Sequence, residues 1–171
     1  IFIFTLYTFS YGFRIYFDFA GYSLMAIGIG YLFNFQLPKN FDEPYKQTTI
    51  KGFWRHWHIT LSVWFREYVF TFIKKKYNFF SAIIITFFLS GVWHGAGLGF
   101  IYWGIYHGIL YLIYNRFEKK ILKLNFYVRL ILLNILIMIS WPFFDIGFEM
   151  YTYSLINIEF NIKNFYFPVN Q

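Results

Sequence analysis

Long apolar runs alternate with short polar segments along most of the chain. The apolar runs cover residues 1–13, 15–35, 79–114 and 128–144. A helix of about 20 apolar residues crosses a bilayer. The run 1–13 is typical of the end of a span, and the run 79–114 is long enough to enter and return as a hairpin. The pattern predicts an all-α, polytopic membrane helix bundle.

Two charged side chains separate the first two runs. Arg14 and Asp18 are four residues apart, so on a helix they can pair with each other. We expect them to divide the region into two spans, 1–13 and 15–35. Pro38 then stops the helix, and a polar loop follows.

The segment 49–73 is rich in aromatic residues, yet it carries more charge than a helix facing lipid tolerates. Steps of three or four residues place Arg55, His58, Ser62 and Arg66 on one polar stripe of a helix. Two interpretations remain open. The segment is an interfacial helix with a solvated face, or it is a buried or re-entrant amphipathic helix whose stripe lines a polar cavity.

The C-terminal tail, residues 145–171, mixes aromatic and polar residues without a clear period. The chain begins at Ile1 inside an apolar run, so we expect a fragment of a longer membrane protein. We treat residues 1–171 as part of a single membrane domain.

The composition supports a membrane protein. Hydrophobic residues make up 58% of the chain and charged residues 13%, against about 25% charged in soluble domains. The net charge of +7 would suggest nucleic acid as a partner of a soluble protein. Here the basic residues lie between apolar spans, so we predict membrane lipid and no nucleic acid. The chain has no cysteine, which excludes a cysteinyl acyl intermediate and cysteine-ligated metal, and we predict no metal site.

His94 lies in an apolar stretch and is flanked by Gly91, Gly95 and Gly97. An ionisable residue within a membrane segment is a functional candidate by default. The structural alternative is a histidine satisfied by a backbone carbonyl. The glycines favour a functional role, because they let backbone or ligand approach the imidazole closely. His107, on the second arm of the hairpin, is interpreted as structural.

Several motifs occur in a fixed order along the chain. They are Tyr16-Phe17-Asp18-Phe19-Ala20-Gly21-Tyr22-Ser23, Leu37-Pro38-Lys39-Asn40-Phe41, Phe53-Trp54-Arg55-His56-Trp57-His58-Ile59-Thr60-Leu61-Ser62, Trp64-Phe65-Arg66-Glu67-Tyr68 and Trp93-His94-Gly95. In this order they resemble the membrane-bound O-acyltransferases. The resemblance is to the bacterial branch, which contains membrane subunits for alginate and peptidoglycan O-acetylation and the D-alanyl transfer protein of teichoic acid synthesis.

The resemblance implies a ring of helices around a transmembrane tunnel, of which this chain is the C-terminal part. It also implies that His94 is the catalytic histidine and His58 the second functional histidine. The chain departs from the alginate-type pattern at two places. It has Leu24 where alginate-type proteins often have an aspartate, and Lys74-Lys75-Lys76 where they have a Gly-Gly-Asn loop.

These residues suit acyl transfer to a hydroxyl, which needs a base with a pKa near the working pH. The candidate substrate-binding residues are Arg55, Ser62, Arg66 and Trp93. The two arginines can attract an anionic acyl donor. An equal alternative is that they pair with Glu67 or with backbone carbonyls.

The expected reaction moves an acyl group, with acetyl ranked first, from a cytoplasmic thioester donor to a cell-envelope hydroxyl. The donor is acetyl-CoA or an acyl carrier protein, and no bound cofactor is expected. The acceptor is a polysaccharide, peptidoglycan or an extracytoplasmic acetyltransferase partner. The alternatives are D-alanyl transfer to teichoic acid, a non-enzymatic membrane transport component, and an inactive fragment. We expect a multi-pass protein of the inner (plasma) membrane.

The distribution of basic residues predicts the topology. Thirteen of the 15 Lys and Arg residues lie between Lys39 and Arg129, and loops rich in such residues face the cytoplasm. In a background without other cysteines, Lys75→Cys and Lys120→Cys should therefore resist an impermeant thiol reagent in intact cells, whereas Asn164→Cys should react. Labelling of the first two from outside would reverse the assignment.

Overall fold

The computed structural model describes residues 2–95 and 97–144, and within these ranges the chain is helical with no strand. Seven α-helices are joined by short loops, by a 3₁₀ turn at Pro44–Lys46 and by a π-helical turn at Phe65–Phe70, and a 3₁₀ turn at Trp141–Phe144 follows the last of them. They are α1 (Phe2–Leu32), α2 (Ile50–His56), α3 (Ile59–Trp64), α4 (Thr71–Lys76), α5 (Phe79–His94), α6 (Leu98–Ile121) and α7 (Phe126–Ser140). The predicted tail, 145–171, lies outside the described residues.

The first helix corrects one prediction. The sequence predicted two spans, 1–13 and 15–35, but α1 is a single helix of 31 residues. Arg14 and Asp18 do form the expected pair, with 3.6 Å between Nε and Oδ2. Residues four apart on a helix lie on the same face, so the pair forms without interrupting the backbone. The helix ends where Asn34 takes a left-handed conformation (φ 61°), before Pro38.

The segment 49–73 also differs from the continuous helix that its stripe predicted. It comprises α2, α3, a wide π-helical turn at Phe65–Phe70, and the start of α4. Thr49 caps α2, because its Oγ1 accepts a hydrogen bond of 2.9 Å from the Gly52 N–H. The break follows at Trp57, which is extended, and at His58, which is left-handed (φ 42°, ψ 57°).

Helices α5 and α6 form the predicted hairpin, in which α5 ends at His94 and α6 begins at Leu98. Glycines allow the two helices to pack backbone against backbone. A Cβ atom at Gly91 would collide with the carbonyl of Phe100, and one at Gly104 would collide with the carbonyl of Phe87. Lipid chains are as apolar as leucine, so helix association in a membrane relies on such close van der Waals packing. Gly104 on α6 and Gly91 on α5 therefore form the contact between the two helices.

The core of the described chain is aromatic. Trp57, Trp103 and Trp141 are buried, with ring centroids 4.7 Å apart for Trp57 and Trp141 and 6.1 Å apart for Trp103 and Trp141. These rings bring the break after α2, the helix α6 and the 3₁₀ turn after α7 into contact. α1 joins this core at Gly12, where a Cβ would collide with Met138 and Trp141.

Two helical stretches within the described residues are long and apolar enough to cross a bilayer. They are Thr5–Leu32, with a mean hydropathy of 1.3, and Phe126–Phe144, with 1.8. Phe79–His94 is a shorter apolar helix. Helix α6 has 24 residues but is not among the stretches apolar enough to cross a bilayer, so the hairpin α5–α6 stays a predicted membrane element.

The packing of the hairpin predicts a sharp difference between two glycines. Gly91→Ala should lower the thermal stability of the full-length protein in detergent, because overpacking against a backbone carbonyl typically costs about 1–3 kcal/mol. Gly97→Ala is the matched control, since its Cβ would lie 3.6 Å from the Phe100 ring, an ordinary contact. Equal melting temperatures for the two variants would contradict the described crossing.

Candidate functional site

His94 lies at the C-terminal end of α5, where the helix gives way to Gly95. Its imidazole packs among aromatic rings, with centroid distances of 5.3 Å to Trp103 and 5.1 Å to Phe144. The flanking glycines serve this packing. Gly91 brings α6 close to α5, and the ring of Phe100 fills the space that a Cβ at Gly95 would need. The close approach predicted for these glycines is thus made by α6 at Gly91 and Gly95.

His58 lies at the break between α2 and α3. A left-handed conformation in a residue with a Cβ costs about 1–2 kcal/mol and persists only where the surroundings impose it. The imidazole packs against Phe19 of α1 at 4.5 Å and against Trp93 at 6.0 Å. This break is outside the helices that are long enough to span a membrane. Burial, and to a lesser extent the nearby His94, lower the pKa of His58 to about 4, so its imidazole is neutral at neutral pH.

A first cavity of about 200 Å³ lies between the 49–73 segment and α5–α6. Every member of the predicted polar stripe lines it, although the helix predicted to carry that stripe is broken. Its stripe residues are Arg55, His58, Ser62 and Arg66, and His94 closes the same cavity. Ser62 also donates a hydrogen bond of 3.1 Å from Oγ to the Trp57 carbonyl. Of the two interpretations of this segment, the geometry favours the stripe that lines a polar cavity.

A second cavity of about 410 Å³ opens toward α1. Its polar lining includes Arg14 and Asp18, and Trp93 lines this cavity but not the first. The side chains of Arg14 and Asp18 are 58% and 70% exposed, so the pair borders the cavity instead of lying in the core. These two residues were predicted to divide the helix into two spans, but they lie on one continuous helix and line this cavity.

Four side chains line both cavities: Trp57, His58, His94 and Trp103. The two tryptophans belong to the buried core, and the two histidines supply the titratable groups of this shared wall. Two imidazoles between separate cavities can take up or release a proton on either side of the wall. In the described part of the chain, no group of three or more metal-ligating side chains comes together.

The first cavity has a cationic lining. Lys51, Arg55 and Arg66 all contribute to it. Lys51 is neutralised by Glu118, with 2.6 Å between Nζ and Oε2. Neither arginine forms an ion pair within the described residues, so the alternative pairing of Arg66 with Glu67 is not formed there. Uncompensated positive charge in a concave site attracts anions.

The other two histidines lie outside both cavities. His56 contacts the Gly52 carbonyl through Nδ1 at 2.7 Å. His107 is fully buried, and its Nε2 lies 2.9 Å from Ser140 Oγ. Because Ser140 Oγ already donates to the Ile137 carbonyl at 2.6 Å, it accepts from Nε2–H, which fixes the tautomer of His107. The structural interpretation of His107 agrees with this geometry.

Sequence reasoning missed several residues of the two cavities. Among them are Trp57, Trp103 and Lys51, to which the sequence assigns no role in a site. Tryptophan in an aromatic-rich chain carries no distinguishing signal of its own. Lys51 is four positions before Arg55, so an extended stripe would have included it.

The chain belongs to the membrane-bound O-acyltransferase family, whose model matches residues 1–159. It is 42% identical over 143 residues to the peptidoglycan O-acetyltransferase of Helicobacter pylori, which is 79% of this chain and 27% of that protein. It is also 42% identical over 125 residues to the teichoic acid D-alanyltransferase of Bacillus subtilis, 67% of this chain and 32% of that protein.

A third relative is the probable alginate O-acetylase of Pseudomonas putida, 42% identical over 104 residues. The aligned part is 58% of this chain and 21% of that protein. The chain therefore spans between about a fifth and a third of the length of these curated relatives. Two of the three are named as transferases of acetyl or D-alanyl groups and the third as a probable O-acetylase, as the resemblance of the motifs led us to expect.

The buried pair His107–Ser140 predicts a coupled loss of stability. Ser140→Ala should lower the free energy of unfolding by about 1–3 kcal/mol, because it leaves a buried N–H donor without an acceptor. The double variant Ser140→Ala/His107→Leu should lose less than the sum of the two single variants. Thermal unfolding of the full-length protein in detergent measures this.

Thr71→Ala provides the control for that series. Its hydroxyl donates to the Arg66 carbonyl at 2.8 Å but is exposed, so its loss should change stability by less than about 0.5 kcal/mol. Strictly additive losses at His107 and Ser140 would contradict the described pair.

Proposed function

We propose that the protein containing this chain is a membrane-bound O-acyltransferase that moves an acyl group, with acetyl ranked first, from a cytoplasmic thioester donor to an envelope hydroxyl. The acceptor is a polysaccharide or peptidoglycan, or an extracytoplasmic partner that passes the group on. The observation that carries this proposal is the wall of His58 and His94 between two differently lined cavities.

The first cavity suits the donor. CoA and the prosthetic arm of an acyl carrier protein are both anionic, and Arg55 and Arg66 line this cavity without ion-pair partners in the described chain. Ser62 lies beside them and can donate or accept a hydrogen bond. The basic loops predicted to face the cytoplasm would present the donor to this side. Acetyl-CoA and an acyl carrier protein are both compatible with this lining.

The second cavity suits the acceptor. It combines the ionic pair Arg14–Asp18 with tyrosine and tryptophan rings, among them Tyr22 and Trp93. Carboxylate and guanidinium groups exchange hydrogen bonds with hydroxyls, and aromatic faces offer apolar contact to a sugar ring. A hydroxyl bound here would lie on the opposite side of the histidine wall from the thioester.

The proposed chemistry needs one displacement and the passage of one proton through His94. His94 takes the proton from the acceptor hydroxyl, whose oxygen attacks the thioester carbonyl carbon. The tetrahedral intermediate collapses and the carbon–sulfur bond breaks. The leaving thiolate takes the proton from His94 and departs as the thiol, which returns His94 to its neutral form. General-base assistance of this kind typically contributes about 10²–10⁴ in rate. His58, neutral and adjacent, assists from the donor side.

D-alanyl transfer to teichoic acid is the second candidate. The teichoic acid D-alanyltransferase of Bacillus subtilis is as similar in sequence, at 42% identity, as the peptidoglycan O-acetyltransferase of Helicobacter pylori. After transfer, the carboxylate of Asp18 on the second cavity would accept a hydrogen bond from the ammonium of the D-alanyl ester. Supplying full-length protein with labelled acetyl or D-alanyl donor, each with its carrier, discriminates the two.

The whole protein is proposed to form a ring of helices around a tunnel in the inner membrane, with several spans. The two cavities would then be the two mouths of that tunnel. The alternative to an enzyme is a non-enzymatic transport component. It predicts a water path through the histidine wall but no acyl product, so an acyl-exchange assay separates it from the enzyme.

The mechanism predicts a graded effect of histidine substitutions. In the full-length protein, His94→Ala should lose about 10²–10⁴ in transfer rate while remaining in the membrane. His58→Ala should lose less of the transfer rate, because His58 is proposed to position the acyl donor and not to take the proton. Transfer of labelled acyl groups to envelope polymer, normalised to membrane-inserted protein, measures both.

His56→Ala is the matched control, since His56 lies in the same segment but lines neither cavity. It should transfer acyl groups at close to the wild-type rate. An active His94→Ala variant would refute the mechanism, and one that fails to insert would return His94 to a structural role.

A further inference from the structure

His58 has a left-handed backbone conformation that no glycine, proline or local side-chain cap accounts for. His58 occupies the N-cap position of α3, yet its side chain makes no capping hydrogen bond. The first N–H groups of a helix have no partner within the helix and require one from elsewhere. Capping by the local side chain is the usual solution. Here the imidazole packs between Phe19 and Trp93 instead.

Asn40 supplies the missing cap from a position 18 residues before His58. Its backbone carbonyl accepts a hydrogen bond of 2.9 Å from the Ile59 N–H. Its side-chain Oδ1 accepts from Thr60 twice, from the hydroxyl at 3.0 Å and from the N–H at 3.4 Å. The first two residues of α3 thus donate to one asparagine.

The same side chain also reaches α1. Asn40 Nδ2 donates to Ser23 Oγ at 3.3 Å, and Ser23 is on the helix that carries Phe19. Next to it, the Asp42 N–H donates to the His56 carbonyl at 3.0 Å. The loop around Asn40 therefore fixes both sides of the break and connects it to α1.

We propose that Asn40 is a positioning residue for His58: it caps α3 in place of the His58 side chain and so leaves that imidazole free to form the wall between the two cavities. The catalytic part of this inference rests on the proposed acyl transfer, but the positional part does not. Asn40 itself lines neither cavity.

A chemical-modification experiment tests the position without any activity. Full-length protein in detergent is treated with diethyl pyrocarbonate, and the modification rates of His58 and His94 are compared by peptide mass spectrometry. In Asn40→Leu, His58 should react about threefold faster or more, because its ring leaves the packing against Phe19, while His94 keeps its rate. An unchanged ratio of the two rates in folded protein would overturn the proposal.

A double-mutant cycle tests the link to catalysis. Asn40→Leu should lower kcat by about ten- to a hundredfold, since a misplacement of about 1 Å can cost a factor of 10². In a His58→Ala background the same change should cost less than about twofold, because residues that act as a unit are not additive. Asn40→Asp keeps the Oδ1 acceptor for Thr60 and should retain most of kcat.

Asn125→Leu is the matched control. Asn125 caps α7, its Oδ1 accepting from the Tyr127 N–H at 2.8 Å, and it lines neither cavity. Its effect should be equal in the wild-type and His58→Ala backgrounds. An equal loss for Asn40→Leu in both backgrounds would reduce Asn40 to a purely structural residue.

Two outcomes would prevent a direct reading of these experiments, and each has its own test. If Asn40→Leu does not accumulate in the membrane, Thr60→Val takes its place, because it removes only the hydroxyl bond to Asn40. If wild-type protein transfers no acyl group, the proposed function fails, and the modification rates of His58 still decide whether Asn40 positions it.

Discussion

At the crossing of α5 and α6, Gly91 and Gly104 let two backbones touch, and the position of His94 depends on that contact. Side chains larger than hydrogen at either glycine would collide with a carbonyl of the other helix. Trp103 is adjacent to Gly104 on α6, and its ring lies 5.3 Å from the His94 ring. The apolar environment of a bilayer gives helices little hydrophobic reason to associate. Close packing of α5 against α6 therefore sets the distance between His94 and Trp103.

The second histidine is held by a different kind of interaction. His58 depends on hydrogen bonds that a distant loop makes to the start of α3, whereas His94 depends on van der Waals packing. The two meet at a wall whose other members, Trp57 and Trp103, are buried in the aromatic core. The aromatic neighbours restrict the rotation of the two imidazoles. Such pre-organisation would serve the proposed acyl transfer, because a small misplacement of a reacting group lowers the rate strongly.

Charge is distributed unevenly between the two sides of this wall. The first cavity is lined by cations, of which Lys51 alone is neutralised within the described chain, by Glu118. The second has one cation and one anion, paired four residues apart on α1. The net charge of +7 thus reflects the local lining of one cavity as well as the basic loops. In the proposed reaction, this asymmetry would draw an anionic acyl donor to the first cavity.

The sequence alone determined the helical class, the family, the hairpin turn after His94 and the pairing of Arg14 with Asp18. Lengths of apolar runs, the order of motifs and helical spacing are all read directly along the chain. It also predicted the stripe residues, which do share a cavity. The break at His58 could not be read from the sequence. No glycine or proline marks it, and the groups that impose it come from Asn40, far along the chain. Only the tertiary structure decided that the imidazoles share a wall, because that depends on packing between elements separated in sequence.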